Sequence, residues 1–329
     1  MHTISIVLTI LNEGRSLDRL LGALVDQSRL PDEIIVIDGG SSDGSLDILE
    51  GFAQSHHNFH YFVETGVNIA KGRNIGIRKS SGNIIAVTDG GCYPDKDWLR
   101  ELVQPMIVDP TLDAVAGALE IEASTEFERL AGRLSLPPVP ASNESPAFYG
   151  RSSAFTRRLF DAVGGYPEWL YTAEDSLFSQ RAKELGFRIG YAKDSILGWR
   201  PRSTLSKFAK MFFLYGRGQG RIAAANIKGA LWWLRWYALF AGAIILMPYF
   251  PWSGIVAAWV LGYLLLQMHR SNKSLFSACA TINAWVLLMV MLLARNLSSN
   301  LGSLLGAYEF SHVEPFAHEL TRYTRPHAG

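Results

Sequence analysis

The sequence predicts an α/β domain on a Rossmann-like, mixed but mostly parallel sheet, followed by an α-helical membrane region. Two observations carry this. Short apolar, β-prone runs alternate with apolar residues at helical spacing along the N-terminal part of the chain, each run ending in polar or glycine residues. Further on, residues 236–268 contain no Asp, Glu, Lys or Arg.

In order, residues 4–11 read as a strand closing on Asn12-Glu13-Gly14, and Leu17, Leu20, Leu21 and Leu24 come next at helical spacing. Residues 34–37 form a second apolar strand that ends in Asp38-Gly39-Gly40-Ser41-Ser42-Asp43-Gly44-Ser45, before a helix marked by Leu46, Leu49 and Phe52. A third strand at 61–63 precedes a helix at 68–79 that carries Lys71, Arg73 and Arg78. The run from Ile84 to Thr88 then delivers Asp89 to a strand end, and Gly90 and Gly91 let the backbone approach a ligand closely. Pro94 is expected to open the next helix, around 98–108, with a strand at 114–121 after it.

Residues 125–149 lose periodicity and gather Pro137, Pro138, Pro140 and Pro146, which predicts a mobile loop. Residues 154–163 read as a helix stopping at Gly164-Gly165-Tyr166-Pro167. Glu174-Asp175 opens a helix running to Leu185, and a strand is expected at 188–191. Residues 206–221 set Phe208, Met211, Phe212 and Tyr215 beside Lys207, Lys210, Arg217 and Arg221, the pattern of a basic amphipathic helix on an anionic membrane surface. The expected boundary lies near residue 225, giving domains at 1–225 and 226–329.

Pro248 and Pro251 divide the uncharged run into a predicted membrane hairpin, with Trp232, Trp233, Trp236, Tyr249 and Trp252 as interfacial anchors. Residues 274–294 are a further uncharged stretch. Arg217, Arg221, Lys228 and Arg235 before the first segment, with Arg270 and Lys273 after the second, place the N-terminal domain in the cytoplasm at the inner (plasma) membrane by the positive-inside rule. A third span would put the tail, with Arg322 and Arg325, on the other side.

Composition narrows the classes further. Of 329 residues 48% are hydrophobic, and mean hydropathy is +0.10, high for a soluble chain. A net charge of +1 gives no general attraction for nucleic acid. Cys92 and Cys279 form no zinc pattern and suit a reducing compartment, and the start at Met1-His2-Thr3 lacks the basic region of a secretion signal. No G-x-G-x-x-G or G-x-x-x-x-G-K-[ST] follows any predicted strand, which argues against a dinucleotide dehydrogenase or P-loop enzyme. Trp199, Arg200 and Arg202 set an indole, which can stack on a ring face, beside two guanidinium groups, which can take phosphate.

Taken together, Ser5-Ile6-Val7-Leu8-Thr9-Ile10-Leu11-Asn12-Glu13, Ile35-Val36-Ile37-Asp38-Gly39-Gly40-Ser41-Ser42-Asp43, Lys71-Gly72-Arg73-Asn74-Ile75-Gly76, Thr88-Asp89-Gly90-Gly91 and Gly164-Gly165-Tyr166-Pro167 ahead of Glu174-Asp175 resemble the family 2 glycosyltransferases. That family has the GT-A fold, and the resemblance covers about residues 4–221. Bacterial succinoglycan-type exopolysaccharide transferases look similar in both the Asp-Gly-Gly-Ser motif and the membrane tail. The resemblance implies a nucleotide-diphosphate sugar donor. Thr9, Leu11 and Glu13 would border its base and ribose, Asp38 would accept from the base, and Lys71 and Arg73 would approach the diphosphate or base side. Asp89, with Gly90, stands at the start of the family's Asp-x-Asp motif and would be the metal ligand for Mg or Mn, but Gly91 replaces the second acid. Asp175 matches the catalytic base, with Glu174 as its neighbour, and Trp199, Arg200 and Arg202 would form an acceptor platform.

The resemblance thus implies an inverting enzyme that adds one sugar, since the Gln-x-x-Arg-Trp motif of processive synthases is absent. The expected acceptor is a membrane lipid-linked saccharide in polysaccharide or glycolipid synthesis. The alternatives are transfer onto polyprenyl phosphate and a catalytically inactive, nucleotide-binding membrane scaffold.

Overall fold

The computed structural model describes residues 2–14, 16–136, 146–313 and 316–324. Its contacts divide the chain into two compact units. The first comprises most of the chain up to Arg200 together with Tyr323, and the second comprises Ala123–Ser135 and Pro201–Arg322. This division falls earlier than residue 225.

In the first unit β1 (Ile4–Ile10), α1 (Ser16–Val25), β2 (Glu33–Asp38), α2 (Ser45–Ser55), β3 (Phe59–Val63), α3 (Ile69–Lys79), β4 (Ile84–Asp89), β5 (Cys92–Pro94), α4 (Trp98–Val108) and β6 (Ala114–Ile121) alternate much as expected. After α5 (Glu126–Ser135), which belongs to the second unit, come β7 (Ser153–Thr156), α6 (Arg157–Val163), α7 (Glu174–Glu184) and β8 (Ile189–Trp199). The strands form one eight-stranded sheet in the order β3-β2-β1-β4-β7-β6-β8-β5. Neighbours β3-β2-β1-β4 and β6-β8 are parallel, whereas β7 runs antiparallel between β4 and β6 and β5 pairs antiparallel with β8.

Both faces of the sheet are covered, which is why the strands are continuously apolar. Ile4, Ile6, Leu8 and Ile10 pack with Leu17, Leu20, Leu21 and Leu24 on one face, and Val7, Ile35 and Ile37 pack with Ala70 and Ile77 on the other. Helix α3 lies directly on β1. A Cβ at Gly72 would come 2.5 Å from Thr9 Cγ2, and one at Gly76 would come 2.5 Å from Val7 Cγ1. The glycine spacing in this motif therefore serves close helix-on-strand packing, and it fixes where Arg73 stands.

The structure corrects several sequence expectations. Residues 153–156 are β7, because insertion between β4 and β6 overrides the helical spacing, and the helix begins only where Thr156 Oγ1 accepts from Leu159 N at 3.2 Å. Within the expected loop at 125–149 stands α5, capped by Thr125 Oγ1, which accepts from Glu128 N at 3.1 Å. Pro137, Pro138 and Pro140 lie outside the described residues. Pro94 closes the edge strand β5, where the missing N–H costs no ladder bond, and the helix starts at Trp98. The strand at 188–191 continues to Trp199.

The second unit holds α5, α8 (Leu205–Arg221), α9 (Ile227–Leu246), α10 (Ser253–Ser271), α11 (Lys273–Ser277), α12 (Ile282–His312) and most of α13 (Phe316–Thr324). Among the described residues two helices, α9 and α12, are long and apolar enough to cross a membrane. The expected hairpin partner α10 does not join them. Helix α9 begins ahead of the uncharged run, and the third uncharged stretch breaks at α11 before continuing as the 31-residue α12. The apolar stripe of α8, expected to face a membrane surface, packs Phe208, Met211 and Phe212 with Leu130 and Leu134 of α5 and Leu288, Met291 and Leu292 of α12. Glycines bring the backbones of α8 and α12 together: a Cβ at Gly216 would lie 2.1 Å from Ser299 O, and one at Gly302 2.0 Å from Phe213 O. Beside this crossing Arg221 Nε donates to Glu309 Oε2 at 2.6 Å and Arg217 Nε to the same oxygen at 3.0 Å.

Candidate active site

The register of the central strands brings the expected acids to one sheet edge. Ile10 pairs with Asp38 and Thr9 with Asp89, so β2 and β4 end on either side of the end of β1. Asp38 is fully buried. Its Oδ1 accepts from Gly40 N and Ser41 N, both at 2.8 Å, and its Oδ2 accepts from Ser41 Oγ at 2.5 Å. Asn12, held in the left-handed region at φ 56°, accepts from Ser42 N at 2.9 Å and donates its own N–H to Ser41 Oγ at 2.8 Å. The loops after β1 and β2 are thereby laced into one rim, a role for Asn12, Ser41 and Ser42 that the motifs do not reveal. Leu11 and Lys71 are exposed near this edge. Thr9 Oγ1 is buried with no hydrogen-bond partner among the described residues.

Glu13 and Gly90 are brought together: a Cβ at Gly90 would stand 2.1 Å from Glu13 Oε1, so a larger residue there would displace that carboxylate. Arg73 is placed differently from the expectation that it approaches the donor's diphosphate or base side. It is 1% exposed and occupied by two acids, Nη2 donating to Asp89 Oδ1 at 2.5 Å and Nη1 to Glu174 Oε1 at 2.8 Å. Burial acts against its charge, but Asp89 and Glu174 outweigh that and hold the guanidinium well above its ordinary value. Gly150 packs on the same group, where a Cβ would lie 2.0 Å from Nη2. Arg73 thus links the end of β4 to the start of α7 under the site.

Ala173, just ahead of α7, adopts φ 69°. A side chain in this left-handed conformation costs roughly 1–2 kcal/mol, and strain of this kind is found at sites that need a particular orientation. The two acids next in the chain stand in unequal surroundings. Glu174 is buried, and burial together with the neighbouring Asp175 charge pushes its carboxyl up to about 7, against the pull of Arg73. Asp175 is half-exposed, and its Oδ2 accepts from Gly150 N at 3.3 Å. Tyr149 lies close enough to Asp175 that burial and this carboxylate raise its phenol. Sequence pattern misses Tyr149, Gly150 and Arg151 because they come after an aperiodic, proline-rich run.

Among the acceptor candidates Trp199 is 7% exposed and covered by the Arg151 guanidinium, 4.3 Å from the ring centroid. Arg200 is exposed and its backbone N–H donates to Gly91 O at 3.4 Å. Arg202 belongs to the second unit. The three expected platform residues are therefore not gathered within one unit.

A divalent ion held by protein needs several oxygen ligands. Among the described residues no three His, Cys, Asp or Glu side chains cluster suitably, Gly91 stands in the left-handed region at φ 71°, and one Asp89 oxygen is engaged by Arg73. This donor set does not fit a metal cage built by the chain.

Residues 5–166 match the family model "Glycosyl transferase family 2". The chain is 28% identical over 228 residues to the glycosyltransferase AglE of Haloferax volcanii, covering 66% of this chain and 72% of that one. It is 21% identical over 250 residues (70% and 77% coverage) to a dolichyl N-acetyl-alpha-D-glucosaminyl phosphate 3-beta-D-2,3-diacetamido-2,3-dideoxy-beta-D-glucuronosyltransferase of Methanococcus voltae. Over 231 residues it is 25% identical (66% and 68%) to the succinoglycan biosynthesis protein ExoA of Rhizobium meliloti. In structure it is similar to the mannosyltransferase PcManGT from Pyrobaculum calidifontis, solved in complex with GDP-Man and Mn2+, with a TM-score of 0.58 at 18% identity over 95% of this chain and 88% of that one.

The mixed sheet gives the first unit the GT-A fold, the fold it shares with that solved structure. The chain carries a family 2 glycosyltransferase domain, with relatives that act in polysaccharide and lipid-linked saccharide synthesis.

Proposed function

We propose that the protein is an inverting transferase that moves one sugar from a nucleotide-diphosphate sugar to a lipid-linked saccharide at the cytoplasmic face of a plasma membrane. The observation that carries this reading is the connection of Asp89 to the start of α7 through Arg73 and Glu174, with Asp175 left half-exposed beside it. A group that takes a proton from an acceptor must reach it, and Asp175 is the more open acid of the pair. In the transfer the acceptor hydroxyl oxygen bonds to the anomeric carbon as its proton passes to Asp175. The bond to the nucleoside diphosphate breaks on the opposite face, and configuration inverts. Asp38, with Thr9, Leu11 and Glu13, would seat the nucleoside at the strand edge. Lys71, Asp89 and Gly90 would line the diphosphate side, and Arg200 the acceptor side.

Membrane attachment through α9 and α12 supports a lipid-linked acceptor, as does the dolichyl-phosphate-linked acceptor in the name of the Methanococcus voltae relative. The test is release of nucleoside diphosphate by the full chain in detergent from a panel of UDP- and GDP-sugars, with a lipid-diphosphate sugar and polyprenyl phosphate as rival acceptors. Transfer only to polyprenyl phosphate would replace this acceptor assignment. An Asp175→Asn variant as active as the parent would remove the base.

A further inference from the structure

Arg151 sits in a segment pinned on both sides. Before it, Gly150 packs on Arg73 and donates to Asp175, and after it the buried Ser152 Oγ accepts from Trp98 Nε1 at 2.9 Å. Its guanidinium lies over the Trp199 indole, and Trp199 pairs with Cys92, one residue from Gly91. Arg200 is tied by its backbone to Gly91. Arg151, through Trp199, and Arg200, through its backbone, thus stand on elements next to Gly91, where the second acid is missing. A guanidinium over an indole keeps its planar fork of N–H donors, the group that takes a phosphate through two parallel hydrogen bonds.

We propose that Arg151 is a phosphate-binding residue of this site, an inference that rests on the transferase reading. Its place next to Gly150, which donates to Asp175, and over Trp199, whose strand partner Cys92 adjoins Gly91, lets it meet phosphate from either of two sources: the departing nucleoside diphosphate or the phosphate of a lipid-linked acceptor. Bound to the first, it supplies positive charge where the leaving group gains negative charge.

Arg151→Ala, Arg151→Gln and Arg151→Lys are compared with the parent as full chains in detergent, after a thermal melt has shown which remain folded. Isothermal titration with UDP and GDP reads the donor arm. The KM for a saccharide on a lipid diphosphate, against the same saccharide on a neutral lipid, reads the acceptor arm. Loss of a charge-assisted bidentate contact is expected to weaken one arm by about 10- to 100-fold, with partial rescue by lysine. Weaker nucleotide binding assigns the donor diphosphate, and a raised KM confined to the phosphorylated acceptor assigns the acceptor. Folded variants that keep both values within about twofold of the parent overturn the proposal. A parent that binds a nucleoside diphosphate but transfers no sugar would overturn the transfer reading alone, because the titration still reads Arg151. A parent that binds neither nucleotide and transfers nothing overturns both.

Discussion

Arg73 Nη1 donates to Glu174 Oε1 across 2.8 Å, joining a helix laid on β1 to the first turn of α7 with both groups buried. Its other terminal nitrogen holds Asp89, so one guanidinium sets the spacing of the acids at the candidate active site. Removing one member of such a buried set leaves the others uncompensated.

Arg73→Ala should therefore destabilise the first unit by about 3–5 kcal/mol. Chemical unfolding in detergent, followed by tryptophan fluorescence, measures this. An unchanged midpoint would show that the network contributes little. Arg73→Lys should recover only part of the loss, because one ammonium does not reproduce the fork that spans both acids.

Asp175→Asn should lower kcat by about 10²- to 10⁴-fold while leaving donor binding near the parent value. Glu174→Gln, at a buried position that touches Arg73, should act more through stability. Initial rates and nucleotide titration on the two variants separate these effects, and equal kcat losses with equal melting shifts would contradict the division of roles.

Glu174 also predicts a pH dependence. Its carboxyl is raised from an ordinary 4.5 to about 7, so between those values the folded protein binds more protons than the unfolded chain. The stability that Glu174 contributes is fully present below the unfolded value and is lost as pH rises toward the folded one. Melting temperature of the parent relative to Glu174→Gln should fall across this window. A difference that is flat with pH would show that Glu174 titrates normally.

The α8–α12 crossing depends on glycine. With a Cβ at Gly302 lying 2.0 Å from Phe213 O, Gly302→Val must force two backbones apart. The expected loss is about 1–3 kcal/mol or more, seen as a lower melting temperature in detergent. Gly262, where a Cβ meets nothing within 4 Å, is the control, and Gly262→Ala should leave the melt unchanged.

Because Asp89 lacks a second acid and one of its oxygens is engaged by Arg73, the dialysed protein should retain no stoichiometric Mg or Mn. Elemental analysis of the nucleotide-free protein checks this. One tightly held ion per chain would show a ligand set that the described residues do not provide.

Residue pattern alone determined the alternation of strands and helices, the acids at the strand ends and the uncharged run of the C-terminal region. Each of these rests on local periodicity or on residues adjacent in sequence, which is where single-chain patterns are legible. It did not determine β7, because the pairing that makes residues 153–156 a strand comes from β4 and β6, both distant in sequence. Nor did it show that Arg73 is an internal link, or that Arg151 covers Trp199. A side chain's partner is set by which loops the sheet order brings together, and sheet order is a property of long-range packing. The motifs named the acids of the site; only the tertiary structure decided which are buried, which are open, and which cations stand between them.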